Sequence, residues 1–213
     1  MYDSRVQMRY EHLSRFGDMI ELDVTTDAEM LIGWAEDFNW VKYNPRKDVN
    51  RWGLSVTSLD GGISGVPDLD SLFEYNKENN TTYTEKDFNK ATPVLNKQIH
   101  DLLLPWEGHY HRTHFLKFGP GGFFPPHRDW NYTGAETDNY RLIMPLRNVN
   151  PPSFNFILDG KILNWEVGRM YFIDTLKMHY LFNNSFADSY WLIVNVDVND
   201  STIIETMKRF NQK

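Results

Sequence analysis

Residues 117–129 read KFGPGGFFPPHRD, a turn rich in glycine and proline that leads into His127-x-Asp129. Residues two apart in an extended strand project from the same face, so His127 and Asp129 can reach one metal ion. His179 follows fifty residues after Asp129 and begins another apolar stretch, HYLF. Two histidines and one carboxylate form the facial triad that binds non-haem Fe(II) and leaves three coordination positions open. We therefore predict these three residues as metal ligands and as the catalytic centre.

The sequence around this motif predicts a run of short β-strands separated by turns. Asp159-Gly160 is typical of a two-residue hairpin turn. About ninety residues contain eight strand candidates and no helical period, which indicates a mainly β jelly roll. The predicted strands are residues 113–118, 123–127, 140–146, 154–158, 161–165, 169–173, 179–182 and 190–198.

Residues 112–198 resemble the double-stranded β-helix core, a cupin-like jelly roll, of the Fe(II)/2-oxoglutarate-dependent oxygenases. The pattern KFGPGGFFPPHRD … RLIMPL … FILDGKILNWEVGRMYFID … MHYLFNNS … LIVNVDV is most similar to the aspartyl/asparaginyl β-hydroxylase branch. It is also similar to the small prolyl hydroxylases that act on the free amino acid. The resemblance implies Fe(II) at the triad, 2-oxoglutarate and O2 as cosubstrates, and hydroxylation of an amino-acid or peptidyl side chain.

The chain departs from that family where a cation should bind the far carboxylate of 2-oxoglutarate. Most such enzymes carry an Arg or Lys on the last strand, about ten residues after the second histidine, and pair it with this carboxylate. Here no Lys or Arg lies between His179 and Asp200. The other candidates are Arg141, Arg112 and Lys117. Arg141 is favoured because it begins the strand after the metal motif and because arginine binds a carboxylate at two points. The alternative is that Arg141 lies at a strand end and faces solvent.

Other polar residues near the motif are weaker candidates. Asn195 lies inside the apolar last strand and needs a polar partner, which the cosubstrate would supply. Of three neighbouring histidines, His109, His111 and His114, only His114 is expected inside a barrel strand. Asn183 would either brace His179 through a hydrogen bond or only form a turn. The remaining expectations are a solvated turn for Asp138, a strand end for Asp174, and pocket-wall or packing roles for Trp130, Tyr132 and Trp191.

The first 111 residues are less regular, and we predict that they form helices and edge strands that buttress the barrel. The whole chain is expected to be one domain, with residues 112–200 as the β-helix core and residues 201–213 as a terminal helix. The predicted strands of the first half are residues 18–24 and 51–59. The predicted helices are residues 26–38, 69–75 and 84–104, the last interrupted by Pro93, with a loop at 76–84.

Composition is typical of a soluble enzyme. The net charge of −7 argues against binding to a nucleic-acid backbone and favours a small-molecule or peptide substrate. The chain has no cysteine, no apolar run near the roughly eighteen residues of a membrane span, and a polar start. We therefore expect a cytoplasmic protein with no membrane partner. The alternative function is a cupin-like metal-binding protein without 2-oxoglutarate turnover. Its only support is the absence of Lys and Arg from the last predicted strand.

Overall fold

The computed structural model describes residues 9–129 and 138–211, and two antiparallel β-sheets form its centre. The five helices of the described part are α1 (Tyr10–Ser14), α2 (Ala28–Glu36), α3 (Leu72–Asn79), α4 (Lys97–Leu103) and α5 (Asp200–Met207). Short 3-10 turns occupy Glu85–Asp87 and Leu104–Trp106. The strands are β1 (Met19–Thr25), β2 (Val41–Lys42), β3 (Arg51–Ser55), β4 (Thr57–Ser58), β5 (Lys90–Ala91), β6 (Tyr110–Phe118), β7 (Phe123–His127), β8 (Asn139–Arg147), β9 (Phe154–Leu158), β10 (Lys161–Ile162), β11 (Arg169–Ile173), β12 (His179–Asn183) and β13 (Ser189–Asp197).

The larger sheet has the strand order β1-β11-β8-β13-β6-β3-β2, and the smaller sheet has the order β10-β9-β12-β7. Strands β4 and β5 form a separate antiparallel pair. From β6 to β13 the chain crosses repeatedly between these two sheets, and only the β9-β10 hairpin stays within one of them. The chain therefore forms a jelly roll, and the predicted mainly β fold is confirmed. No helix in the part of the chain that the structure describes has the length and hydropathy needed to cross a bilayer.

Strand β13 shows how the larger sheet is covered on both sides. Its residues Trp191 and Ile193 join the apolar cluster between the two sheets, whereas Leu192 and Val194 join a second cluster beneath the helices. A strand buried on both faces reads as a continuous apolar run, as YWLIV does here. The helices thus buttress the outer face of the larger sheet and leave the inter-sheet face for the site.

Most predicted elements occur within a few residues of their expected positions, and the departures have local causes. The predicted helix 84–104 is wrong, because a 3-10 turn, strand β5 and the short helix α4 replace it. Thr84 and Asp87 close the 3-10 turn through reciprocal hydrogen bonds, and Pro93 cannot continue a helix. The predicted strand 51–59 is interrupted at Val56, and helix α3 extends into the predicted loop. Sequence patterns did not reveal α1 or β2.

The glycine-rich turn at residues 119–122 packs directly against the start of β3. The backbone N–H of Gly119 donates to Asn50 O at 3.0 Å, and Asn50 Nδ2 donates to Pro120 O at 3.1 Å. A Cβ atom at Gly122 would lie 2.3 Å from Asn50 O. Glycine is therefore required at Gly122 by the close approach of the neighbouring backbone.

We expect Gly122→Ala to lower the free energy of unfolding by about 1–3 kcal/mol, because the backbone of β3 must move to accommodate the methyl group. Urea unfolding measures this loss. The matched control is Gly33→Ala in the exposed part of α2, where nothing lies within 4 Å of the added Cβ. That change should stabilise the protein by about 0.5–1 kcal/mol, since alanine is the better helix former. Equal effects of both substitutions would contradict the tight packing of the turn.

Candidate metal centre

The structure brings His127, Asp129 and His179 together at one end of the inter-sheet space. His127 ends β7 and lies directly opposite His179, which begins β12, in the antiparallel pairing of these strands. The backbone N–H of Asp129 donates to Thr175 O at 2.9 Å, which fixes the chain just after β7. One ligand atom from each of the three residues lies within 4.8 Å of the others. The arrangement can therefore hold a single metal ion.

Backbone carbonyls fix the orientation of both imidazole rings. His127 Nδ1 donates to Pro125 O at 2.7 Å, and His179 Nδ1 donates to Lys177 O at 3.0 Å. A carbonyl only accepts, so each Nδ1 carries the proton and each Nε2 keeps a lone pair for a metal. These Nε2 atoms lie 3.7 and 4.0 Å from Asp129 Oδ1.

The protonation states of the triad suit a metal site. Burial lowers the pKa of His179, which favours the neutral imidazole. Burial alone would raise the pKa of Asp129, but the positive charge of Arg141 holds it below its ordinary value. Two imidazole nitrogens and one carboxylate are the donor set that non-haem Fe(II) prefers. The residues present therefore fit that metal.

The triad opens into a cavity of about 480 Å³ between the two sheets. This volume is in the range of small-molecule sites, roughly 300–1,000 Å³. Three arginines, Arg51, Arg112 and Arg141, line the cavity together with His114. Its apolar lining consists of Leu116, Phe118, Phe124, Ile143, Phe156, Leu176, Leu181, Trp191 and Ile193.

Arg141 is held against the metal ligand Asp129. Its Nη1 lies 2.8 Å from Asp129 Oδ2, and its Nε donates to Asn195 Oδ1 at 3.1 Å. Asn195 lies opposite Arg141 in the pairing of β8 with β13, and its Nδ2 donates to Arg112 O at 3.1 Å. Arg141 and Asn195 therefore form one polar group beside the triad. The role of Arg141 as the anchor of the far carboxylate stays a prediction.

The guanidinium of Arg112 already has three partners, although the residue lines the cavity. It donates to Asp68 O at 2.8 Å, to Asp70 O at 2.5 Å and to Glu85 Oε1 at 2.6 Å. These bonds hold the segment of residues 68–85 against β6. Arg112 itself has a left-handed φ of 42°. Glu85 therefore already provides a counter-charge for this guanidinium.

Lys117 lies on the opposite face of β6 from the cavity. Its Nζ is 3.2 Å from Glu36 Oε1 and 4.4 Å from the centre of the Trp40 ring. The even-numbered residues of β6, including Leu116 and Phe118, face the cavity instead. The structure thus places Lys117 among the helices, where its charge is already paired.

The neighbouring histidines divide between the cavity and the carboxylate of Asp197. His114 lines the cavity, its Nδ1 donates to Arg112 O at 3.0 Å, and burial lowers its pKa to about 3. His111 Nε2 and His109 Nδ1 instead lie 3.1 and 3.5 Å from carboxylate oxygens of Asp197. The expectation that only His114 lies inside a barrel strand is wrong, because β6 begins at Tyr110 and also contains His111.

The other predicted residues have structural partners or wall the cavity. Asn183 Nδ2 donates to Phe118 O and Ala187 O, so Asn183 closes the turn after β12. Asp174 follows β11 and accepts a hydrogen bond from Tyr10 Oη at 2.8 Å. Trp191 lines the cavity. Asp138 accepts a hydrogen bond from Asn139 Nδ2. Trp130 and Tyr132 lie outside the described residues.

Residues 70–199 match the family described as aspartyl/asparaginyl beta-hydroxylase. The chain belongs to this hydroxylase family. No curated protein gives a significant sequence match. The recognition of this branch from the motif sequence is thereby confirmed.

The chain is also similar to solved structures of other proteins. HygX from Streptomyces hygroscopicus, solved with nickel, 2-oxoglutarate and hygromycin B bound, has a TM-score of 0.53 at 8% identity. The match covers 88% of this chain and 85% of HygX, and at this identity the likeness shows the fold alone. A Pseudomonas putida prolyl-4-hydroxylase has a TM-score of 0.47 at 11% identity, over 86% of this chain and 94% of that protein.

Proposed function

We propose that this hydroxylase is an Fe(II)- and 2-oxoglutarate-dependent dioxygenase that hydroxylates a free amino acid or an amino-acid side chain in a peptide. One observation carries the proposal: both histidine Nε2 atoms of the triad face Asp129 Oδ1 at the end of a cavity. When bound there, Fe(II) would supply O2 activation coupled to the oxidative decarboxylation of 2-oxoglutarate to succinate and CO2.

The protein's own residues would bind, orient and shield the reactants. Arg141 and Asn195 hold the Asp129 carboxylate in place, and the two backbone carbonyls hold the histidine rings. The aromatic walls formed by Phe156 and Trp191 exclude water from the deep part of the cavity. Exclusion of water strengthens the charge interactions that position a small anionic ligand.

The outer lining of the cavity supports an amino-acid or peptide substrate. Lys47 and Arg128 are exposed there, near the Asp70 carboxylate that pairs with Arg46. Charges of both signs around one opening suit a zwitterion or a peptide. A chain with a net charge of −7 is poorly suited to bind the phosphates of DNA or RNA.

A second candidate function is a cupin-like metal-binding protein without 2-oxoglutarate turnover. The observation that favours it is the last core strand, β13, which carries no Lys or Arg. Such a protein would still bind a divalent metal at the triad. It would show no affinity for 2-oxoglutarate above that for other small acids.

Anaerobic titration of the Fe(II)-loaded protein with 2-oxoglutarate tests the proposal, because chelation of iron by the keto acid gives a metal-to-ligand charge-transfer band. We expect a saturable band, followed in air by release of succinate that free amino acids or peptides accelerate. Absence of the band would favour the cupin-like alternative. Acceleration only by oligonucleotides, with an intact band, would overturn the substrate class and leave the iron chemistry in place.

A further inference from the structure

Arg51 is a buried cation that faces the cavity without a counter-charge. The side chain is 1% exposed, and its Nε and Nη1 atoms have no hydrogen-bond partner among residues 9–129 and 138–211. Its Cζ atom lies 3.9 Å from the centre of the Phe124 ring and 5.7 Å from that of Tyr43. Burial lowers the pKa of Arg51, and within the described residues only Tyr43 opposes that effect.

Such a charge is costly unless something compensates it. Burial of an unpaired ion costs more free energy than a desolvated cation–π contact returns. A guanidinium does not escape this cost by losing its proton, because its pKa stays above the physiological range. Buried donors without partners at a cavity wall therefore indicate that an anion binds there.

The position of Arg51 in the sheet corresponds to the cation that the last strand lacks. Ser189 lies ten residues after His179, where the family resemblance implies an Arg or Lys. Ser189 pairs with Phe118 across β13 and β6, and Phe118 pairs with Arg51 across β6 and β3. These three residues form one row, and residues opposite one another in antiparallel strands point to the same side. Arg51 on β3 thus places a positive charge in the same row as Ser189, two strands away from β13.

The same side chain lies at a useful separation from the metal ligands. The Phe124 ring that Arg51 covers is 5.7 Å from the His127 ring, measured between centroids. One aromatic ring therefore contacts both the guanidinium and a triad histidine, so the two groups are no farther apart than these two contact distances together. That separation suits an elongated dicarboxylate with one end at the metal and the other at Arg51. A keto acid with a single carboxylate would leave the guanidinium without a partner.

We propose that Arg51 binds the far carboxylate of 2-oxoglutarate and makes the site selective for this dicarboxylate over shorter keto acids. The inference rests on the proposed function. The three cations that the sequence offered as anchors already have partners: Arg141 pairs with Asp129, Arg112 with Glu85, and Lys117 with Glu36. Lys47 and Arg128 also line the cavity, but both are exposed at its opening. The glycine-rich turn holds Asn50, the residue before Arg51, and so fixes the start of β3.

The test compares 2-oxoglutarate with pyruvate, which has the same keto acid end but no second carboxylate. Anaerobic titrations of Fe(II)-loaded protein give the Kd of each from the charge-transfer band. We expect Arg51→Met to raise the Kd of 2-oxoglutarate by about tenfold to a hundredfold, as for loss of a charge-assisted pair, and to leave that of pyruvate within about twofold. Lys117→Met is the matched control and should change neither Kd.

The melting temperature of the ligand-free protein separates a binding role from a structural one. Methionine replaces an unpaired buried charge with an apolar chain of similar length, so Arg51→Met should leave Tm unchanged or raise it. A lower Tm together with an unchanged preference for 2-oxoglutarate over pyruvate would overturn the inference. Arg51→Gln gives the same comparison if the methionine variant does not fold. If wild-type protein gives no band with either keto acid, the proposed function itself fails.

Discussion

Replacement of His179 by alanine is expected to abolish stoichiometric metal binding. His179 is 3% exposed, lies directly across the sheet from His127, and donates to Lys177 O so that its Nε2 faces the other ligands. Loss of a residue that only supports a ligand typically costs about tenfold to a hundredfold in metal affinity, and loss of a ligand should cost more. We therefore expect His179→Ala to raise the Kd for Fe(II) by at least about a hundredfold.

Metal content after anaerobic reconstitution and desalting measures this effect, and titration with Fe(II) gives the Kd. His111→Ala is the matched control, because His111 is equally buried at 3% exposure but bonds to Asp197. The control should keep full metal content. Full occupancy in the His179 variant would show that the triad is not the metal site. Loss of metal only in the His111 variant would move the site to the histidines beside Asp197.

Local patterns in the sequence were sufficient to predict the triad and most of the strands. The spacing of His127 and Asp129 depends only on strand alternation, and the strands after residue 112 are short, apolar and separated by turns. The third ligand, His179, was recognised as a histidine at the start of an apolar stretch fifty residues after Asp129. Each of these patterns spans only a few residues, so each can be read without knowledge of the tertiary structure.

The pairing of strands that are distant in the sequence could not be predicted from local patterns. Arg51 precedes the metal motif by more than seventy residues, and only the pairing of β3 with β6 brings it to the cavity. Strand alternation also failed to show which face of β6 is the cavity face, because both faces are largely buried and both carry polar as well as apolar residues. For that reason Lys117 was a candidate from its sequence position, although it points toward Trp40 and Glu36.

Arg141→Met is expected to weaken the metal site as a whole, in contrast to the selective effect at Arg51. Arg141 contacts Asp129 Oδ2 at 2.8 Å, and this contact orients the carboxylate and favours its ionised form. Its loss leaves a half-buried metal ligand free to rotate and easier to protonate. We expect the Kd for Fe(II) to rise by about tenfold to a hundredfold, the usual effect of removing such a supporting residue.

The same variant decides between the two arginines as the anchor of the far carboxylate. If Arg141 acts through Asp129, the Kd values of 2-oxoglutarate and pyruvate, measured at saturating Fe(II), should rise by the same factor, because both chelate through the keto acid end. The preference for 2-oxoglutarate would then persist in Arg141→Met and be lost in Arg51→Met. The opposite result would be an unchanged Kd for Fe(II) in Arg141→Met and a lost preference for 2-oxoglutarate over pyruvate. That result would assign the anchor of the far carboxylate to Arg141, as its place in the sequence suggests. It would also mean that Arg141 binds the ligand carboxylate through N–H groups beyond those that contact Asp129 and Asn195, or that it leaves Asp129 when the ligand binds.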